Sequence, residues 1–226
     1  MIIAVTLIIA SLIWLVYASA NIRSGVYVKT CCRLDTNEKL LALTFDDGPD
    51  AINTPLVLDV LQKHHIPAIF FCIGKSIENN ELLLQRMIAA GHLIGNHSWG
   101  HQSLLPFYSS KQLQQEITHT EQEIERAIKQ KAACWFRPPF GITNPNISKA
   151  IHEKKYRTMG WNIRSFDTIS SNHQSVVQRI IKKIKPGSII LLHDNLKDAP
   201  VIVEAIIKHA HQEGYTFVRA DKYIKQ

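Results

Sequence analysis

Two adjacent carboxylates, Asp46 and Asp47, close an apolar run in TFDDGPDA and are followed at once by Gly48 and Pro49. Successive strand side chains point to opposite faces and the Gly-Pro turn redirects the chain. This predicts different duties, one carboxylate binding a cation and the other facing a water. Taken alone, DDGP is equally an Asx-type turn that only shapes a loop. NHSWGH supplies what the carboxylates lack. His97 and His101 have the i, i+4 spacing that lets two imidazoles face one ion from a helical turn or a tight loop, and imidazole suits zinc and its neighbours. An HxxxH pair by itself is more often solvated or satisfied in a core. Joined by a carboxylate from another strand end, it becomes a two-His, one-carboxylate set that leaves coordination positions for water and substrate. Arg137 in WFRPPFG and His193 with Asp194 in LLHD close further apolar runs. The prolines after Arg137 fix its backbone and argue against a mobile surface ion pair.

These residues need elements to hold them. From Leu40 onward short β-like runs (LLALTF, AIFFCIG, HLIGNHS, CWFRPP, YRTMGWNI, SIILLHD, YTFVRA) alternate with segments of helical period such as TPLVLDVLQKHH, ENNELLLQRMIAAG, KQLQQEITHTEQEIERAIKQ and APVIVEAIIKHAHQEG. Strand and helix in succession imply parallel strands with crossover helices, and runs that are apolar throughout fit strands covered on both faces. Gly91, Gly187 and Gly214 mark the returns from helix to strand. The fold class is α/β, and the spacing fits a small distorted (β/α) barrel better than an open doubly wound sheet. No glycine-rich phosphate motif follows the first strand. In parallel barrels the C-terminal strand ends carry the chemistry, so the residues above can converge on one mouth.

Composition bounds the partners. A chain of 226 residues, 46% hydrophobic and 20% charged, buries one sizeable core. Its formal net charge of +7 suits an anionic surface or polymer. Much of the excess, Arg179, Lys182, Lys183 and Lys185, lies on one predicted helix without interleaved aromatics, so it reads as a solvated face, and nucleic acid is set aside. Residues 1–20, MIIAVTLIIASLIWLVYASA, carry no charge and are long enough to cross a bilayer. They read as a retained signal anchor in preference to a signal peptide cut after Ala20. Residues 21–39 then form a lead-in, and 40–226 the catalytic domain. Arg23, Lys29 and Arg33 pull their flank toward the cytoplasm, and the side of the membrane stays open. The four cysteines have neither metal spacing nor a disulfide pattern, and Cys72 and Cys134 are expected to be buried. No feature sets an oligomeric state.

TFDDGP, HSWGH, RPPFG and LLHD, in that order, resemble the polysaccharide deacetylase family, the NodB homology domain or carbohydrate esterase family 4, from about Leu40 to the C-terminus. The resemblance implies a distorted (β/α) barrel, a divalent metal (usually zinc) and removal of N-acetyl or O-acetyl groups from sugars. By matching positions it implies Asp46 as general base, Asp47, His97 and His101 as metal ligands, Arg137 as the holder of the base and His193 as general acid. It also puts Phe140 and Leu191 at the substrate, Phe140 through a backbone N–H toward the oxyanion. Phe140 stands where the family often has Tyr, a change that leaves that N–H intact.

The chemistry suits these roles. A bound zinc lowers the pKa of its water from about 15.7 to about 7, and oxyanion donors are worth about 3–4 kcal/mol each. A carboxylate near His193 raises its pKa and keeps it cationic for the leaving amine. One segment departs from the family: in WNIRSFDT, Arg164 replaces an Asp, Asp167 keeps a second one and Thr168 replaces a Trp. Asp167 is therefore the nearest carboxylate for His193, Asp194 being another, and one wall of the acyl pocket changes. Formyl or another small acyl group could then take the place of acetyl. The remaining histidines, His92 among them, read as solvated or core-satisfied. The whole reads as a membrane-associated, metal-dependent deacetylase of an N-acetylated polysaccharide or glycolipid. A deacetylase or deformylase of a lipid-linked amino sugar comes second. A non-catalytic glycan-binding relative predicts a broken metal set or a missing base, and the sequence has neither.

Overall fold

Alternation along one strand organises the interior. In β2 (Leu40–Asp46), Leu41, Leu43 and Phe45 face outward into a cluster with helical residues. Leu40 and Ala42 face inward, and by the same parity so do Thr44 and Asp46. The computed structural model describes residues 2–224. Eight further strands are β1 (Thr30–Cys31), β3 (Ala68–Cys72), β4 (Leu93–Asn96), β5 (Trp135–Phe136), β6 (Arg157–Met159), β7 (Ile163–Arg164), β8 (Ser188–His193) and β9 (Thr216–Phe217). They pair in parallel in the order β1-β6-β5-β4-β3-β2-β8-β7, with β9 against β2, and the sheet curls into an incomplete barrel.

The helices are α1 (Ile2–Ala20), α2 (Asn53–Lys63), α3 (Gly74–Ile77), α4 (Glu81–Ala89), α5 (Ser110–Ile128), α6 (Pro145–Glu153), α7 (His173–Ile181) and α8 (Ala199–Gln212). α2 buries Thr54, Val57, Leu58 and Leu61, the i, i+3, i+4, i+7 stripe of a helix lying on a sheet. α5 starts in a capping box, Ser109 with Gln112, and buries Leu113, Ile117, Thr120 and Ile124. Gly187 closes the return into β8 with a φ of 77°, and a Cβ there would lie 3.0 Å from the Leu34 carbonyl.

The lead-in contributes to the barrel. Its residues Thr30 and Cys31 form β1 on the edge of β6, Arg33 bridges to Ser188, and Ile22 and Leu34 are buried in the inner cluster with Trp135, Met159, Trp161 and Leu191. The run YRTMGWNI is two strands, β6 and β7, and Gly160 between them has no room for a side chain, since a Cβ there would meet Cys32 Sγ at 2.7 Å. Cys72 is buried, but Cys134 is exposed, contrary to expectation, because it precedes β5 instead of lying within it. His92 is a core residue only half satisfied: it is 3% exposed, its Nδ1 accepts from the Ala68 amide at 3.1 Å, its Nε2 is buried without a hydrogen-bond partner, and burial pushes its pKa down to about 4. α1 is exposed along nearly its whole length and is apolar enough to cross a membrane.

Candidate active site

The mouth is assembled at the ends of β2, β4, β5 and β8. Asp46 closes β2 in register with His193, the last residue of β8. Arg137, just past β5, is fully buried. Its Nη1 donates to Asp46 Oδ1 at 2.6 Å and to Thr44 Oγ1 at 2.9 Å, its Nε to the Met159 carbonyl and its Nη2 to that of Gly160, both at 3.0 Å. The guanidinium also lies 4.1 Å from the Phe71 ring centroid and 5.5 Å from that of Trp161. Burial lowers its pKa, the Asp46 charge and hydrogen bond oppose this, and a guanidinium so held stays charged.

Asp47 breaks the strand's alternation. Its φ of 73° turns the chain, so its carboxylate comes back toward the inner side. Both neighbours then reach one imidazole: His97 Nε2 is 3.7 Å from Asp46 Oδ2 and 3.5 Å from Asp47 Oδ1. The simple alternation expected from sequence fails here for that backbone reason. The turn is fixed from behind, since a Cβ on Gly48 would lie 2.2 Å from Asp194 Oδ2. Asp194 accepts from Thr54 Oγ1 at 2.5 Å and is pushed up to about 7 by burial. It supports the turn, while the His193 ring is bonded to Asp167.

His97 and His101 sit on a loop, with Ser98 at φ 68° and His101 at φ 46°. Glu116 of α5 pins that loop, its Oε2 accepting from the amides of Trp99 and Gly100 at 3.0 and 2.9 Å. His97 Nδ1 is 2.8 Å from the Arg137 carbonyl, which can only accept. That nitrogen therefore carries the hydrogen, and the Nε2 lone pair faces Asp47. His101 Nε2 lies 3.6 Å from the same Asp47 Oδ1. Burial, then the neighbouring His97, lower the His101 pKa and favour its neutral, ligating form. Burial disfavours the charged Asp47 carboxylate, but the facing rings of His97, His193 and His101 outweigh it and hold its pKa down to about 2.

One ligand atom from each of Asp47, His97 and His101 falls within 4.8 Å of the others, and Asp47 Oδ1 is buried without a hydrogen-bond partner. Tetrahedral ligands about 2.1 Å from an ion stand about 3.4 Å apart, close to the distances found, so the donor set fits a zinc-like cation.

Across the mouth, His193 Nδ1 is 2.7 Å from Asp167 Oδ1, while the His193 amide donates to Asp167 Oδ2 at 3.0 Å. Ser165 Oγ donates to the same carboxylate at 2.7 Å. Burial works against the imidazolium, but the Asp167 hydrogen bond and the charges of Asp167, Asp46 and Asp47 outweigh it and raise the His193 pKa. His193 Nε2 is left facing Asp47 Oδ2 at 3.8 Å. Phe140, at φ 61°, sets its ring 4.6 Å from that of His101. Leu191 is 2% exposed in the barrel interior, on the same face of β8 as His193 and below it. Arg164 and Thr168, the departures from the family pattern, are exposed, and Arg164 lies 5.1 Å from the Phe166 ring centroid.

A family model described as polysaccharide deacetylase matches residues 33–159. The chain belongs to the polysaccharide deacetylase family. Among similar members, a peptidoglycan-N-acetylglucosamine deacetylase of Bacillus cereus is 34% identical over 194 residues, covering 84% of this chain and 90% of that one. A peptidoglycan-N-acetylmuramic acid deacetylase of Bacillus subtilis is 32% identical over 190 residues, 83% of this chain and 72% of that one. A crystal structure of a peptidoglycan N-acetylglucosamine deacetylase in complex with a naphthalenyl N-oxidanyl-benzamide superposes with a TM-score of 0.80 at 28% identity, covering 86% of this chain and 92% of that one. Polysaccharide deacetylases of this fold use a divalent metal, and the Asp47, His97 and His101 set is where this member could hold one.

Sequence reasoning missed the supports. Thr44 was open to it, because it shares the inward parity of Asp46 two residues on. Ser165, two residues before Asp167 in WNIRSFDT, was open to it as well; Glu116 was not, since it comes from α5 and carries no local signal.

Proposed function

We propose that this member hydrolyses the N-acetyl group of an amino sugar in a glycan, peptidoglycan being the substrate that its relatives' names suggest. The observation that carries the reading is Asp47 Oδ1, buried and unpartnered between two imidazole nitrogens at 3.5 and 3.6 Å. Asp47, His97 and His101 would hold the cation, zinc by the softness of the donors. Such an ion supplies Lewis acidity, polarising a carbonyl and making water nucleophilic near neutral pH.

The chain's own groups do the rest. Asp46 gives one oxygen to Arg137 and keeps the other for the proton of the attacking water. Arg137 positions Asp46 and keeps a fixed positive charge beside it. The backbone N–H of Phe140 is the oxyanion donor, and Leu191 forms the floor beneath the acyl group. His193, with Nδ1 committed to Asp167, donates the proton from Nε2 to the departing amine. Asp167 is the positioning carboxylate. The exposed Thr168 leaves the acyl pocket open on the side where the family often has Trp, and no feature favours formyl over acetyl. α1 is read as an anchor that keeps the domain on the outer, cell-envelope side of a membrane. A purely glycan-binding role has no broken ligand or missing base to recommend it.

Purified wild type is expected to contain divalent metal and to release acetate from N-acetylglucosamine oligomers and peptidoglycan fragments. Asp47→Ala is expected to lose the metal, measured by elemental analysis. A wild type that takes up no divalent metal, or an Asp47→Ala enzyme that keeps both metal and turnover, overturns the assignment.

A further inference from the structure

The barrel leaves no slack between α1 and the mouth. Ala18 is fully buried, and its carbonyl accepts from Ser24 Oγ at 2.9 Å. The Thr143 amide donates to the Ser19 carbonyl at 2.9 Å, and Ile22, 6% exposed, is packed in the inner cluster. Thr143 lies just beyond Pro139–Gly141, the turn that carries Phe140 against His101. The last turn of α1 is thus hydrogen-bonded to the same loop that borders the candidate metal ligands.

Beside that contact the rim is apolar. Asn144 Nδ2 donates to the Pro106 carbonyl at 2.6 Å, tying in the loop whose Leu104 and Phe107 are 64% and 83% exposed, and Phe140 is 41% exposed. Single exposed apolar residues are ordinary on a soluble protein. Two aromatics and a leucine on adjoining loops, continuous with the end of an apolar helix, are the composition of a surface that lies in a bilayer interface. Arg23, exposed just past α1, is placed at headgroup level.

We propose that the mouth opens onto the bilayer surface, with Leu104, Phe107 and Phe140 seated in the interface, so that the sugar it takes is one carried at or linked to the membrane. The proposal rests on reading α1 as a spanning anchor and the site as a deacetylase. The competing orientation lays the cation pocket lined by Arg23, Arg33, Lys182, Lys183 and Lys185 on anionic headgroups. The end of α1 borders both surfaces, and the exposed Leu104, Phe107 and Phe140 favour the first.

The test uses full-length protein in nanodiscs whose lipids are brominated on the acyl chain, a quencher of nearby indoles. Phe107→Trp adds an indole, read as the difference from wild type, whose emission is expected to be lost in brominated discs. Lys183→Trp is expected to keep its emission. Trp14 of α1, read as the loss on Trp14→Phe, reports the anchor separately. Quenched Trp14 with unquenched Phe107→Trp overturns the proposal and leaves the anchor standing; unquenched Trp14 overturns both. Quenching at Lys183→Trp in place of Phe107→Trp establishes the opposite orientation.

A second measurement uses Phe107→Ser. KM for hexadecyl N-acetylglucosaminide in the discs is expected to rise about tenfold, the scale of one aromatic ring withdrawn from an apolar phase. KM for soluble tetra-N-acetylchitotetraose is expected to stay unchanged. Equal losses on both substrates would make Phe107 a sugar platform and overturn the membrane assignment. Absence of acetate release from both by wild type would sink the deacetylase reading without touching the quenching result.

Discussion

Asp46 and Asp167 stand on either side of Asp47, each held by one basic side chain, and the two pairs are built to opposite ends. The Arg137 side chain is completely inaccessible, and carbonyls, a hydroxyl and two aromatic rings enclose its contact with Asp46. His193 keeps 14% of its side chain accessible, and its partner Asp167 is backed by Ser165 and two amides. The first pair is a permanent charge that fixes geometry. The second is titratable and can part with a proton at the mouth. One site therefore separates the group that must hold still from the group that must change state.

Breaking the first pair is expected to have the largest effect. Arg137→Ala strips Asp46 of the buried guanidinium bonded to it and is expected to destabilise the fold by about 3–5 kcal/mol, measured by chemical denaturation. A variant as stable as wild type would mean that the buried pair is not an ion pair in solution. Arg137→Lys should rescue this poorly, because a point charge cannot serve two side chains and two carbonyls at once.

Asp46→Asn keeps the shape of that pair and removes the proton acceptor. Turnover is expected to fall by about 10²–10⁴-fold with metal content unchanged. Loss of metal together with activity would instead make Asp46 a ligand and abolish its contrast with Asp47.

The second pair is probed by pH. On the proposed role His193 acts in its protonated form, so kcat/KM is expected to hold below its raised pKa and to fall as pH rises through it. Asp167→Asn removes the carboxylate that raises this value, and the alkaline fall is expected to move to lower pH. Linkage gives stability the same sign. The pair supports the fold fully below the ordinary histidine pKa and loses that support as pH climbs through the raised one. An unmoved alkaline limb in Asp167→Asn would assign it to another group.

The smallest effect falls on a support of the first pair. Thr44 Oγ1 accepts from Arg137 and donates to the Ile190 carbonyl at 2.8 Å. Thr44→Val should cost about 1–2 kcal/mol in stability while leaving the pH profile in place. A shifted profile would show that the two pairs are coupled through β8.

The contrast was only half legible in the sequence. The helix-strand succession was enough to bring Asp46, Arg137 and His193 to one mouth as strand-end residues, while Leu191 was reached only through the family resemblance. The metal-type spacing of His97 and His101 was legible because it is local. The left-handed backbone at Asp47 was not, since its carboxylate is brought round by a turn wedged against Asp194 from a strand far along the chain. Two short elements also escaped notice. β1 exists because β6 offers it an edge, and α6 announces itself only by its Asn144 cap and the Pro145 that follows.

The docking of α1 bears on where the chain can be cut. Thr143 is 1% exposed, and its amide has the Ser19 carbonyl as acceptor. Processing after Ala20 would remove that acceptor and the Ala18 carbonyl together, orphaning a buried donor beside the mouth at a cost of about 1–3 kcal/mol. A soluble form that begins a few residues earlier, ahead of Tyr17, retains both acceptors while shedding most of the apolar span. The buried Ala18 and the Ser19 carbonyl thus back the folded domain, and cleavage after Ala20 would leave the Thr143 loop without that backing.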